Sequence, residues 1–244
     1  MTSKKVVLVT GASRGIGAAI AEKFAQSGWD LTISGRREDT LEQKAHELRA
    51  VGAHVKVAPA DMSDADAVQT LIQAHLDEYA TLNALVLNAG MGQKGRMEAF
   101  PVRRLDRLYE VNVRSPFLLM QGLLPALRAG AAEQGSSNVI AISSISGVYP
   151  EPELAAYGAT KAALIKLCEV FNLEESSGGV SATALAPGYV DTDLTEWTKE
   201  AIPGREMITT DDIAWMAYTI TKMSRYAVVP TVTLTRPGTN LHRA

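Results

Sequence analysis

Val6-Val-Leu-Val9-Thr10-Gly11-Ala-Ser13-Arg14-Gly15-Ile16-Gly17 runs directly into Ala18-Ala-Ile-Ala-Glu-Lys-Phe-Ala-Gln26, and Ser27-Gly28 follows. Val6 to Val9 is a short, β-branched-rich apolar run, the pattern of a buried parallel strand. Ala18 to Gln26 is built of strong helix formers, and Gly28 is the usual residue just past a helix end. The glycines between them are the informative part. Gly11 permits a tight turn. Gly15 and Gly17 lack a Cβ, so a bound anion and the strand can both come close to the backbone. The helix start adds unpaired N–H groups and the positive end of a dipole. The spacing is Gly-x-x-x-Gly-x-Gly rather than the commoner Gly-x-Gly-x-x-Gly of dinucleotide sites. Ser13, Arg14 and Ile16 fill the positions between.

The same unit repeats in looser form along the chain. Strands are expected at Asp30 to Gly35, Val55 to Ala58, Leu82 to Leu87, Asn138 to Ile142, Val180 to Leu185 and Val228 to Leu234. Helices are expected at Glu38 to Val51, Ala65 to Tyr79 (capped by Asp64), Val102 to Arg128, Leu154 to Leu173 and Asp211 to Met223 (capped by Thr209 or Thr210). The helix over 102–128 contains Pro116, where a kink is expected. Residues 91–100 read as a loop, and a short helix is expected over Leu194 to Lys199. Alternation of this kind predicts an α/β fold, a doubly wound, mostly parallel Rossmann-type sheet of about seven strands in a single domain over residues 1–244.

Composition narrows the class. The chain has 244 residues, 46% hydrophobic and 21% charged, with formal net charge −3. That balance predicts no nucleic-acid surface, and Arg103, Arg104 and Arg107 read as a solvated helix face. Cys168 is the one cysteine, so no internal disulfide is possible. It falls in the apolar pattern of a helix and reads as core. The four histidines, His46, His54, His75 and His242, have no ligand spacing, which predicts no metal site. No run of about 18 apolar residues appears, which predicts no membrane span. The start, Met-Thr-Ser-Lys-Lys, has no leader pattern, and the expected location is cytoplasmic.

Two stretches carry candidate chemistry. Tyr157 and Lys161 stand four apart at the start of a helix, so their side chains share one face. An ammonium near a phenol favours the phenolate, which is expected to make Tyr157 a better acid–base group. Ser144 follows an apolar strand, where α/β sheets place reactive groups, and its hydroxyl is placed to bond a substrate carbonyl. The second stretch is Ser34-Gly35-Arg36-Arg37. NAD sites put an acidic residue near this point to hold the ribose; here Gly35 takes that position and Arg36 and Arg37 follow. With Arg14, these cations favour a 2′-phosphate, and so NADP(H).

Taken in order, the motifs resemble the short-chain dehydrogenase/reductase family over nearly the whole chain. They are Thr10-Gly11-x-x-x-Gly15-x-Gly17, Asp61, Asn88-Ala89-Gly90, Asn112, Ser144, Tyr157-x-x-x-Lys161 and Pro187-Gly188-x-Val190-x-Thr192. The resemblance implies roles. Tyr157 would be the general acid or base and Lys161 its partner, which also holds the nicotinamide ribose. Ser144 would polarise the carbonyl, and Asn112 would hold a water behind Lys161. Asp61 and Met62 would meet the adenine, Asn88, Ala89 and Gly90 the ribose side. Pro187, Gly188, Val190 and Thr192 would fix the nicotinamide.

The implied activity is an NADP(H)-dependent carbonyl reductase or secondary-alcohol dehydrogenase acting on a small molecule, assembled as a homotetramer or homodimer through the helices at 102–128 and 155–174. Two other readings belong beside it: a catalytically idle NADP-binding regulator, which typically lacks the Tyr, Lys or Ser present here, and a 3-oxoacyl thioester reductase. Carrier-protein-dependent reductases usually have basic residues where this chain has Gly178 and Gln134 to Asn138, which weakens the carrier-bound form of that last reading. Ala182-Thr-Ala184 and Thr235-Arg-Pro-Gly238 also depart from the family pattern. The segment from Tyr189 to Met207 is expected to cover the substrate, and its Leu194, Trp197 and Ile202 read either as a modest apolar substrate wall or as packing of the cover itself.

Overall fold

The computed structural model describes residues 4–238. Met1 to Ser3 and the polar tail beyond Gly238, with His242, lie outside the described residues. Seven strands form one sheet: β1 (Val6–Thr10), β2 (Asp30–Ser34), β3 (Val55–Val57), β4 (Ala84–Leu87), β5 (Ser137–Ile142), β6 (Val180–Pro187) and β7 (Thr231–Leu234). Their order is β3-β2-β1-β4-β5-β6-β7, and every pairing is parallel. Helices fill the crossovers: α1 (Gly15–Gln26), α2 (Glu38–Ala50), α3 (Ala65–Glu78), α4 (Val102–Tyr109), α5 (Ser115–Gln134), α6 (Ala155–Glu175) and α7 (Thr210–Ile220).

Strand alternation divides the core between two layers. Val7 and Val9 pack with Ile20 and Phe24 of α1, Leu41 of α2 and Ile213 of α7 on one face. Leu8 between them packs with Leu71 of α3, Leu123 of α5 and Leu164 and Cys168 of α6 on the other. With both faces covered, the strands read as continuous apolar runs, as the sequence of β1 does. Cys168 is core, and burial pushes its thiol up to about 12. No helix among the described residues is long and apolar enough to cross a membrane.

The expected helix over 102–128 differs from the structure in a way that matters for the site. It is interrupted by a π turn at Glu110–Arg114, just ahead of Pro116. There the Ser115 N–H donates to the Glu110 carbonyl, and the Ser115 hydroxyl takes the displaced Val111 carbonyl at 2.9 Å. Proline has no N–H to continue the α ladder, so the wider turn forms where a kink was expected. The last strand starts at Thr231 rather than Val228, since Pro230 meets the sheet through its carbonyl, which accepts from Ala184 at 2.9 Å.

Candidate active site

The sheet order reverses between β1 and β4, and ligands of such sheets bind beyond the carboxyl ends of the strands at that reversal. A cavity of about 1170 Å³ lies there. Gly11, Ser13, Arg14, Gly15, Ile16, Arg36, Asp61 and Met62 line it from the β1, β2 and β3 side. Asn88, Ala89 and Gly90 line it below β4, and Ser144, Tyr157, Lys161, Pro187, Gly188, Val190 and Thr192 from the β5 and β6 side. Gly17, Arg37 and Asn112 do not line it. Gly17 faces protein: a Cβ there would stand 2.2 Å from the Gly11 carbonyl oxygen. Arg37 turns away to pair with Asp39. Asn112, 1% exposed, sits behind the wall.

The glycine loop is held by its neighbour in the sheet rather than by itself. The Asn88 side-chain amide donates to the Thr10 and Gly11 carbonyls at 2.9 and 3.2 Å. The backbone N–H groups of Asn88 and Ala89 both donate to the Thr10 hydroxyl at 3.0 Å. Gly11 and Gly15 have φ of +66° and +58°, a region glycine enters without steric cost. Thr192 closes over this loop, its Cγ2 lying 3.5 Å from where a Gly15 Cβ would be. Arg14 reaches across to Asp193 on the same covering segment.

Asp61 marks the far end. Partial burial opposes its ionisation, but bonds from the Ser63 N–H and hydroxyl and the charges of Arg107 and Arg36 hold its carboxyl below the usual range. Arg107 bonds it at 3.1 Å and lines the cavity. Arg107 is therefore not part of a merely solvated helix face, as the sequence pattern had it. Arg36 is exposed and lines the same end.

Ser144, Tyr157 and Lys161 meet at the other end. Ser144 ends the turn after β5, and its hydroxyl shares a 2.8 Å hydrogen bond with that of Ser146, a residue the motif reading had passed over. Lys161 is buried, one turn beyond Tyr157, and its ammonium donates to the Ile142 carbonyl at 2.8 Å. It lies 5.7 Å from the centre of the Tyr157 ring. Burial pushes the Lys161 amine down to about 8, so its charge is present at neutral pH and lost as pH climbs past that value.

Burial also pushes the Tyr157 phenol up to about 12; the Ser144 hydroxyl pulls it down, and the Glu151 carboxylate adds to the rise. The expected lowering of the phenol by Lys161 is thus not what the structure gives. Desolvation of the phenol is the largest cause of the rise, and Lys161 is not among the groups that shift it. The phenol is protonated at neutral pH, the form a general acid requires.

Asn112 supports this end from behind. The π turn carries its side chain inward, where its amide donates to the Met91 carbonyl at 2.9 Å and the Thr160 hydroxyl at 3.0 Å, and its oxygen accepts from the Met91 N–H at 2.9 Å. A Cβ on Gly90 would lie 3.4 Å from both the Asn112 oxygen and the Lys161 nitrogen. Glycine at 90 keeps the space between these two groups clear.

Leu194 and Trp197 line the cavity, whereas Ile202 does not. Tyr189 packs edge-to-face on Trp197, ring centres 6.0 Å apart.

The sequence pattern of the family described as short chain dehydrogenase matches residues 5–202. An uncharacterized oxidoreductase of Staphylococcus epidermidis is 34% identical over 195 residues, covering 80% of this chain and 82% of its own. A 3-oxoacyl-[acyl-carrier-protein] reductase of Staphylococcus aureus is 31% identical over 197 residues, covering 80% and 78%. Among solved structures, an alcohol dehydrogenase of the archaeon Thermococcus sibiricus complexed with 5-hydroxy-NADP superposes with a TM-score of 0.86 at 28% identity, over 97% of each chain.

Proposed function

The chain belongs to the short-chain dehydrogenase family, and from that premise we propose that this oxidoreductase is NADP(H)-dependent, reducing a small carbonyl compound or oxidising the matching secondary alcohol. The observation that carries this reading is the convergence of Ser144, Tyr157 and Lys161 on the cavity that the glycine loop also lines. The residues present fit a dinucleotide. Gly11 and Gly15 hold left-handed turns below the start of α1, and Gly35 leaves open the point where an acidic side chain would repel a 2′-phosphate.

When bound, the nicotinamide supplies or accepts the hydride. The chain's own groups do the rest. Ser144 donates its hydroxyl hydrogen to the carbonyl oxygen. The Tyr157 phenol gives that oxygen its proton in reduction and takes it back in oxidation. Lys161 places a positive charge beside the phenol and holds a ribose. Asn112 keeps Lys161 and the 91 loop in place. Pro187, Gly188, Val190 and Thr192 set the position of the nicotinamide, and residues 189–207 cover the substrate.

The test is NADPH consumption against a panel of ketones, aldehydes, quinones and 3-oxo esters. Turnover of at least one is expected. Tight NADPH binding with no turnover on any would favour the idle regulator.

Arg36 is assigned to the 2′-phosphate. A charge-assisted hydrogen bond contributes about 1.5–3 kcal/mol. Arg36→Ala is therefore expected to raise the KM for NADPH about tenfold or more and that for NADH by less than about twofold. Equal changes in both KM values would remove Arg36 from that role.

We also propose that the chain assembles through α5 and α6. Phe117, Val170 and Leu173 are exposed there, Leu173 at 87%. Light scattering at micromolar concentration should give a dimer or tetramer, and a monomer would overturn this.

A further inference from the structure

Glu151 stands in Tyr149-Pro150-Glu151-Pro152-Glu153. Each proline fixes its own φ, and Pro152 also confines Glu151 to extended backbone. The backbone that carries the carboxylate is therefore held extended. It lines the cavity, and its charge is felt at Tyr157, where it opposes ionisation of the phenol. The Tyr189 hydroxyl donates to it at 3.2 Å, and Tyr189 in turn packs against Trp197. One wall of the substrate end is thus a carboxylate beside two aromatic rings.

The other carboxylates around this end are answered. Asp191 pairs with Lys199 at 3.1 Å, Asp193 with Arg14, and Glu153 with Lys94 at 2.9 Å. Asp211 lies in the first turn of α7, where the helix N-terminus favours a negative charge. Lys199 and Lys94 are thus taken by Asp191 and Glu153, and the Arg236 guanidinium acts on the Tyr189 phenol, whose hydroxyl bonds Glu151. A carboxylate lining a cavity is the chemistry that recognises an ammonium group. The Trp197 ring is already engaged by the protein's own Lys94, whose ammonium stands 5.2 Å from its centre and pairs with Glu153.

We propose that the substrate end selects carbonyl compounds, and their alcohols, that carry an amine or another cationic group, with Glu151 as the residue that sets this preference. The inference rests on the oxidoreductase reading above and names the substrate class of the same site. The cation is held by Glu151 while the carbonyl faces Ser144 and Tyr157. A substrate bearing a carboxylate in the same place meets the like charge of Glu151 and is disfavoured.

The test uses three ketones of matched length ending in an ammonium, a hydroxyl and a carboxylate, with the full chain and with Glu151→Gln. Glutamine keeps the shape and the acceptor for Tyr189 but removes the charge. Two quantities are measured: kcat/KM with NADPH, and the calorimetric Kd of each ketone with NADP+ present. In the native protein the ammonium ketone is expected to exceed the hydroxyl ketone about tenfold in kcat/KM, with the carboxylate ketone lowest. In Glu151→Gln the three should converge to within about threefold. Glu151→Ala serves as the second variant if Gln lowers the melting temperature, and the same convergence is expected. No charge order in the native protein, or an order that survives both substitutions, overturns the inference. A charge order in Kd that is lost in the variant, with no turnover of any ketone, supports the charge selection and overturns the oxidoreductase reading instead.

Discussion

Tyr157→Phe is expected to reduce carbonyl turnover by about 10²- to 10⁴-fold, the usual contribution of a positioned general acid, while NADPH binds within about twofold of the native affinity. Burial holds the phenol protonated, at about 12, and its side chain lines the cavity with that of Ser144. The Lys161 ammonium donates to the Ile142 carbonyl at 2.8 Å and lies 5.7 Å from the centre of the Tyr157 ring. Phenylalanine keeps the ring against Lys161 and deletes only the oxygen, so the fold should stay intact. Steady-state NADPH consumption and a fluorescence titration of NADPH separate the two effects. Turnover that survives in the variant would mean that the proton comes from elsewhere.

Gly17→Ala is expected to damage both fold and site. The new methyl group would stand 2.2 Å from the Gly11 carbonyl oxygen and 2.4 Å from the Asn88 side-chain nitrogen. The first of these is backbone and the second is already bonded to Thr10 and Gly11, so neither moves without opening the glycine loop. Overpacking of this kind costs about 1–3 kcal/mol, which corresponds to a fall in Tm of about 2–12 °C for a chain of this size. NADPH affinity should fall about tenfold or more, since α1 can no longer start at its present distance from β1. Gly178→Ala is the control: nothing lies within 4 Å of a Cβ there, and its melting temperature should stay within about 2 °C. Equal losses in the two variants would remove the steric argument.

Much of this was legible in the sequence because it is written locally. Val6 to Gly28 contains its own strand, turn and helix signals, and each later unit repeats them with its own caps, such as Asp64, whose side chain accepts from the Asp66 and Ala67 N–H groups. What was not legible depends on burial or on residues far apart in the chain. Lys161 and Tyr157 are four residues apart, but the direction of the phenol shift follows from desolvation of the phenol in the folded chain. Asn112 is carried inward by a π turn whose only local sign is Pro116. Arg107 looked like one arginine of three on a polar face until Asp61, 46 residues away, was found beneath it. Glu151 carries no motif at all, and its place depends on Tyr189, 38 residues on.

The bonds from Asn88 to Thr10 and Gly11 span 78 and 77 residues. The most self-contained motif in the chain therefore does not acquire its final shape on its own. While the chain is being synthesised, the first strand, turn and helix emerge early, but the carbonyls of the turn lack these partners until β4 has docked beside β1. Parallel pairing across such a separation closes slowly. Until then the turn has no fixed geometry for an anion, so a nascent chain that ends before Asn88 would carry the complete glycine signature and still hold no nucleotide.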